Sequence, residues 1–248
     1  MTGMYRLWPD PAATELTDDE LLGCYLPADR SRPYVRVNFV TSADGAVSVA
    51  GYSAGLSGGA DKRVFGLLRR VCDAVMVGAG TLRHEGYGAM RLGARSRAWR
   101  RDAGLAEYPP LVLVSSRLEL DPASEMFADA PTRPIVVTHG GSPVDRRTAL
   151  AEVADVLVHG DAEVDLPAAL ADLAGRGLTQ VLCEGGPHLL GSLTAADAVD
   201  ELCLTVSPQL AGPGAGRITA GPPTTGRGLQ LAHVLAADDN LLLRYVRE

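Results

Sequence analysis

Two acids stand beside glycines where the chain changes direction: Asp44 in NFVTSADGAVS (38–48) and Glu184 in VLCEGGPHLLGSL (181–193). A carboxylate at the end of an apolar run can orient a protonatable group or help move a proton to it. Taken alone, Asp44-Gly45 also fits a plain β-turn, and an acid before a helix also fits the favourable end of the helix dipole. Behind Glu184, Gly185 and Gly186 allow backbone N–H groups to approach a phosphate, and Pro187 suits the first turn of a helix. An acid repels phosphate, so Glu184 is expected to face a different part of a ligand.

A second small-residue turn, VGAGT (77–81), places Gly78, Gly80 and Thr81 between an apolar run and a helix-like stretch. It is not G-x-G-x-x-G, because position 83 is Arg, and no G-K-[ST] follows to make a P-loop. Two such turns, about 105 residues apart in sequence, predict one extended dinucleotide lying across a sheet. Ser115, Ser116 and Arg117 close another apolar run and can grip a phosphate monoester such as the 2′-phosphate of NADPH; in isolation they read as a polar loop. His188 can touch a cofactor phosphate or sit on a helix surface. His84, His139, His159, His188 and His233 form no H-E-x-x-H pattern and no cysteine pair joins them, so no metal is expected. There is no G-x-S-x-G nucleophile elbow. Lys62 is the only lysine, and nothing in the sequence around it marks it for chemistry.

The elements that must position these residues alternate from Pro33 onward. YVRVNFV (34–40), DAVMVG (73–78), PLVLVSS (110–116), PIVVTH (134–139), ADVLVHG (154–160) and TQVLCEGG (179–186) read as strands. DKRVFGLLRRV (61–71), VDRRTALAEV (144–153), LPAALADLAGRG (166–177) and the segment after Gly186 read as helices. Near the end, 200–210, 229–239 and 240–248 read as strands without helices between them, with Asp238-Asp239-Asn240 supplying a hairpin turn. The fold class is therefore α/β, a mixed, mostly parallel sheet with flanking helices and an antiparallel C-terminal edge. Residues 1–32 read as an N-terminal arm, or a partly ordered tail, with a short helix capped by Thr17 and Glu20; residues 33–248 read as one domain. GARSRAWRRDAG (93–104) reads as an irregular basic surface segment and 211–228 as a long Gly/Pro-rich loop.

The chain has 248 residues and a net charge of −7, which speaks against a general nucleic-acid or membrane-surface binder. Four scattered cysteines fit a reducing compartment. Without a signal-peptide pattern or a run long enough to span a bilayer, the expected location is cytoplasmic.

In order and spacing, S-x-D-G, D-A-V-M-V-G-A-G-T, L-C-E-G-G-P-x-L-x-G-S and D-E-L-x-L-x-x-S-P (200–208) resemble the RibD C-terminal reductase family of riboflavin biosynthesis. The resemblance covers about 33–248 and implies a dihydrofolate-reductase-like sheet of eight or nine strands, NADPH as cofactor and a homodimer, with DELCLTV (200–206) as a dimer strand near the sheet edge. It implies reduction of a ribosylamino-pyrimidinone 5′-phosphate; the alternatives are reduction of dihydrofolate or a pterin, and an NADPH-binding protein without turnover. Asp44 and Glu184 then become the catalytic acids, with Glu184 also on the substrate. Ser53, Arg69 and Arg91 fall on the substrate side, Arg69 matching an arginine for the substrate phosphate, with Arg70 as its neighbour. Gly55, Leu56, Gly78, Gly80, Thr81, Glu85, Ser115, Ser116, Gly185, Gly186, Pro187, His188 and Leu189 fall on the cofactor side. The sequence departs from the family pattern at Ala46, at Gly55-Leu56-Ser57 and at Glu85-Gly86-Tyr87, and most of these departures are on the substrate side.

Overall fold

The computed structural model describes residues 3–248. In chain order the elements are β1 (Tyr5–Trp8), α1 (Asp18–Gly23), β2 (Tyr34–Ser42), α2 (Gly59–Val71), β3 (Ala74–Gly78), α3 (Ala79–Glu85), α4 (Ala94–Asp102), β4 (Leu111–Val114), α5 (Glu125–Ala128), β5 (Ile135–Thr138), α6 (Val144–Ala151), β6 (Asp155–Val158), α7 (Leu166–Gly175), β7 (Gln180–Cys183), α8 (Pro187–Ala195), β8 (Glu201–Ser207), β9 (Leu229–Ala237) and β10 (Asn240–Arg247). The strands form one ten-stranded sheet in the order β1-β9-β10-β8-β2-β7-β3-β4-β5-β6. From β8 to β6 every pairing is parallel; β10, β9 and β1 add antiparallel strands at the other end.

The central strands are apolar on both faces, which is why they read as continuous hydrophobic runs. Along β3 the pleat divides the side chains: Val75 and Val77 join a core with α1 and α2, while Ala74 and Met76 join one with α7 and α8. Helix α2 reaches the first core through Val64, Leu67, Leu68 and Val71, the i, i+3, i+4, i+7 stripe of an amphipathic helix. The closing hairpin turns through Asp238 and Asp239, both at positive φ, the geometry of a two-residue turn that matches strand twist.

Three expectations change. The arm does more than pack on the body: β1 pairs with β9, and Met4, Leu16, Leu21, Leu22 and Tyr25 enter the core, so the arm adds a tenth strand to the nine of residues 33–248. Thr17 and Glu20 do form the capping box. Residues 93–104 are not irregular but hold α4, whose inward face carries the buried Arg100 instead of an apolar residue, so its helical period was masked. The Arg100 guanidinium donates to the carbonyls of Arg70 (2.9 Å) and Cys72 (2.6 Å), groups that the end of α2 leaves without helical partners. Strand β8 is not an edge strand: β10 and β2 use its backbone on both sides.

Candidate functional site

The carboxyl ends of β2, β3 and β7 open into a cavity of about 730 Å³, within the size range of small-molecule sites. Its floor is made by the two glycine turns. Because β3 and β7 are neighbours, VGAGT and EGGP lie side by side, rather than at separated places across the sheet. The Gly78 N–H donates to Gly185 O at 2.8 Å. A Cβ on Gly186 would come within 2.1 Å of Thr81 Oγ1, and one on Gly185 within 3.0 Å of the Phe39 ring; Gly185 also has φ +94°, a conformation that favours glycine. The first turn of α8 follows at once, with Pro187, His188 and Leu189 on the cavity wall beside Gly80 and Thr81. Unpaired N–H groups at the start of a helix, next to a surface stripped of side chains, suit a pyrophosphate. The cradle therefore fits a dinucleotide.

Glu184, the last residue before those glycines, turns away from them. Its side chain is 1% exposed and meets Arg69 in a bidentate fork, Nε–Oε1 2.6 Å and Nη2–Oε2 2.7 Å. Tyr87 donates its hydroxyl to Oε2 at 3.0 Å. The Arg69 guanidinium lies over the Phe65 ring, 4.2 Å from its centroid. Burial disfavours the Arg69 charge, and the bonds from Glu184 more than restore it, so its pKa is raised. Burial also pushes the Tyr87 phenol up, and the Glu184 charge adds to that. Tyr87 therefore stays protonated and can only donate to the carboxylate. Arg69 Nη1 makes no hydrogen bond among the described residues.

The outer wall is a loop, Val47 to Ser57, held over α3. His84 Nε2 donates to Gly51 O at 2.7 Å, with its ring stacked on Tyr52, and Glu85 accepts the Ser53 N–H at 3.2 Å. Ser53 lines the cavity; Gly55 and Leu56 do not, and Leu56 is buried beneath the loop. Ser116 is exposed at the end of β4, one strand beyond β3 and outside the cavity lining, whereas the Ser115 hydroxyl accepts the Leu118 N–H in its own turn. Arg91 is exposed and donates to Asp129 O, away from the cavity.

Asp44 stands apart. It is exposed and outside the cavity lining. The Ser42 hydroxyl and the N–H groups of Ala211 (3.1 Å) and Gly212 (2.8 Å) all donate to its carboxylate and hold its pKa down, to about 2. As built, Asp44 ties the long 211–228 loop to the end of β2. The other side of that loop rests on α8, where a Cβ on Gly191 would lie 2.0 Å from Ala220 O.

Asn38, Phe65, His84 and Tyr87 line the cavity without having been singled out in the sequence. Only Tyr87 left a trace there, as part of the departure at 85–87. All four cysteines are free thiols. Among the described residues no helix is long and apolar enough to cross a membrane, and no cluster of three acid, histidine or cysteine side chains is placed to hold a metal.

The family model for the RibD C-terminal domain matches residues 33–243. A 2,5-diamino-6-ribosylamino-4(3H)-pyrimidinone 5′-phosphate reductase from Methanothermobacter thermautotrophicus is 33% identical over 182 residues, 73% of this chain and 80% of its own. Its namesake from Archaeoglobus fulgidus is 31% identical over 178 residues, 71% of this chain and 81% of its own. The crystal structure of a pyrimidine reductase-like protein from Corynebacterium diphtheriae superposes with a TM-score of 0.83 at 27% identity, covering 93% of this chain and 98% of its own. The riboflavin biosynthesis reductase Rib7 of Saccharomyces cerevisiae, 19% identical with a TM-score of 0.67 over 92% of this chain and 97% of its own, shares the fold.

Proposed function

The chain belongs to the RibD C-terminal domain family, and from that premise we propose that it is an NADPH-dependent reductase acting on the ribosylamino-pyrimidinone 5′-phosphate of riboflavin biosynthesis. The observation that carries the reading is the junction at Glu184: a buried, arginine-forked carboxylate one residue from a glycine cradle. NADPH, when bound, supplies a hydride. The turns at Gly78–Thr81 and Gly185–Leu189 hold its phosphates on backbone N–H groups, and Ser116, outside the cavity at the end of the neighbouring β4, takes the adenosine phosphate. Glu184 accepts hydrogen bonds from the ring N–H groups of the substrate, so the heterocycle is fixed while the carbon that accepts hydride faces the cofactor. Arg69 and Tyr87 fix the carboxylate in turn. Asp44 acts at one remove, by anchoring the 211–228 loop.

The test follows NADPH absorbance against the ribosylamino-pyrimidinone phosphate, dihydrofolate and a dihydropterin. Oxidation with the first is expected. Oxidation only with the others would move the substrate to a pterin, and none with any would leave a binding protein without turnover. Equal affinity for NADPH and NADH would remove Ser116 and its neighbours from a 2′-phosphate site.

We also propose a homodimer. On the face opposite α1 and α2, the antiparallel strands carry Leu202, Leu204, Leu241, Leu243 and Tyr245, all half-buried or exposed and paired in register across β8 and β10. An apolar sheet face of this kind fits a second copy. Light scattering should give twice the chain mass, and Leu241→Asp should give the single chain; a wild-type monomer at micromolar concentration would refute this.

A further inference from the structure

We propose that Lys62 binds the anionic tail of the substrate at the cavity mouth, a role that the sequence resemblance gives to Arg69. The inference deepens the reductase reading and rests on it for the identity of the ligand.

Lys62, Phe65 and Arg69 all line the cavity. Their i, i+3, i+7 spacing puts them on one face of α2, with about 10 Å of helix between the first and the last. Arg69 is already committed: two of its three guanidinium nitrogens hold Glu184, and its plane rests on Phe65. A phosphate drawn to it would have to compete with a buried carboxylate at hydrogen-bond distance. The three acids of the lining are committed as well, Glu184 to Arg69 and Tyr87, Glu85 to the Ser53 N–H, and Asp61 to the Ser57 hydroxyl at 2.5 Å.

Lys62 differs from all of these. It is exposed, and among the described residues it takes part in no ion pair, although its helix neighbours Arg63 and Arg69 both do. Ser53, whose hydroxyl is a neutral donor, lines the same mouth. An ammonium on a flexible stem suits a tail that arrives from solvent. A substrate with its ring on Glu184 and an anionic group one pentose away spans the face of α2 from Arg69 to Lys62. The ring end is then recognised by a rigid buried pair and the tail by a mobile surface cation.

Because Lys62 is the only lysine, lysine labelled with 13C and 15N gives a single side-chain amine signal in the intact chain. Ribose 5-phosphate should shift that signal and ribose should not; a glutamate-tailed pterin shifting it in place of ribose 5-phosphate would keep the anion site and change the source of the anion. No response to either anion, or the same response to ribose, overturns the proposal. In turnover, Lys62→Met should raise KM for the phosphorylated substrate about tenfold with kcat within about twofold, Lys62→Arg should restore most of the loss, and the dephosphorylated substrate should not distinguish Lys62→Met from wild type. An equal rise in KM for both substrates overturns it. The NMR arm needs no turnover, so a chain that binds ribose 5-phosphate through Lys62 but oxidises no NADPH would sink the reductase reading and leave the anion site standing.

Discussion

Replacing Glu184 by Gln and Arg69 by Met, singly and together, tests whether the buried fork is the working centre of the site. In the wild type two charge-assisted bonds of 2.6 and 2.7 Å and a third from Tyr87 at 3.0 Å satisfy Glu184. Bonds of this kind are worth roughly 1.5–3 kcal/mol each. Gln keeps the shape and one acceptor oxygen but presents an amide to the guanidinium. Stranding a fully buried charge costs about 3–5 kcal/mol, but the Arg69 side chain is 20% exposed and can turn to the cavity, so about 2–3 kcal/mol is expected for Glu184→Gln. Arg69→Met strands the carboxylate, which has almost no exposure, and should cost at least as much. The double variant strands neither charge, so it should fall short of the sum by about 2 kcal/mol. Urea midpoints for the four proteins at one pH measure that coupling, and additivity within about 0.5 kcal/mol would refute the fork as described. The three variants, assayed for NADPH oxidation and NADPH binding beside the wild type, should lose kcat while keeping cofactor affinity within about threefold, because the cradle is made of backbone. An unchanged kcat in Glu184→Gln would remove Glu184 from the mechanism.

Burial, with the Arg244 charge adding to it, pushes the His233 imidazole down to about 4; the unfolded chain binds the proton first, so stability should fall as pH drops from about 6.5 to 4, and His233→Phe, which keeps the edge-to-face contact with Tyr25, should flatten that stretch of a denaturation-against-pH curve. Burial would raise the Glu201 carboxyl, but Arg36 and Arg244 overcome it and hold the pKa at about 2, below its ordinary 4.5; its contribution, on the order of 3 kcal/mol, is present above pH 4.5 and lost toward pH 2, a loss absent from Glu201→Gln. Asp44→Ala should free the 211–228 loop, seen as faster protease cleavage there with NADPH affinity unchanged, and a loss of NADPH oxidation without faster cleavage would return Asp44 to the catalytic role that the resemblance gives it. Gly191→Ala, whose methyl would meet Ala220 O at 2.0 Å, should displace the same loop from α8 and cost about 1–3 kcal/mol, read by thermal melting and by the same cleavage.

The strand and helix alternation was legible because each element carries one unambiguous signal: apolar runs for strands buried on both faces, the 3.6-residue stripe for α2, paired acids at the closing turn. What was not legible has a common cause. Helix α4 turns an arginine inward, because the acceptors it meets are the carbonyls at the end of α2, and no local pattern announces a partner 30 residues away. Strand β1 has four residues, three of them exposed, so no alternation marks it until β9 is beside it. Tyr87 belongs to the site only because the left-handed Gly86 ends α3 and lets the chain fold back over Glu184.

Asp44 and Glu184 show the same limit at the level of chemistry. In the sequence they are equivalent, an acid before glycine at the end of an apolar run. In the fold their oxygens meet different partners. Those of Asp44 are in solvent and held by two backbone N–H groups and a hydroxyl, a set that ties it to the loop that it anchors. Those of Glu184 are out of solvent, and their partners are two side chains on the cavity wall, one of which keeps a guanidinium nitrogen unbonded. A heterocycle entering that wall can add donors to the carboxylate, shift the fork and occupy the remaining nitrogen, so its binding energy can be felt at the reacting group. Of the two acids, only Glu184 lines the cavity.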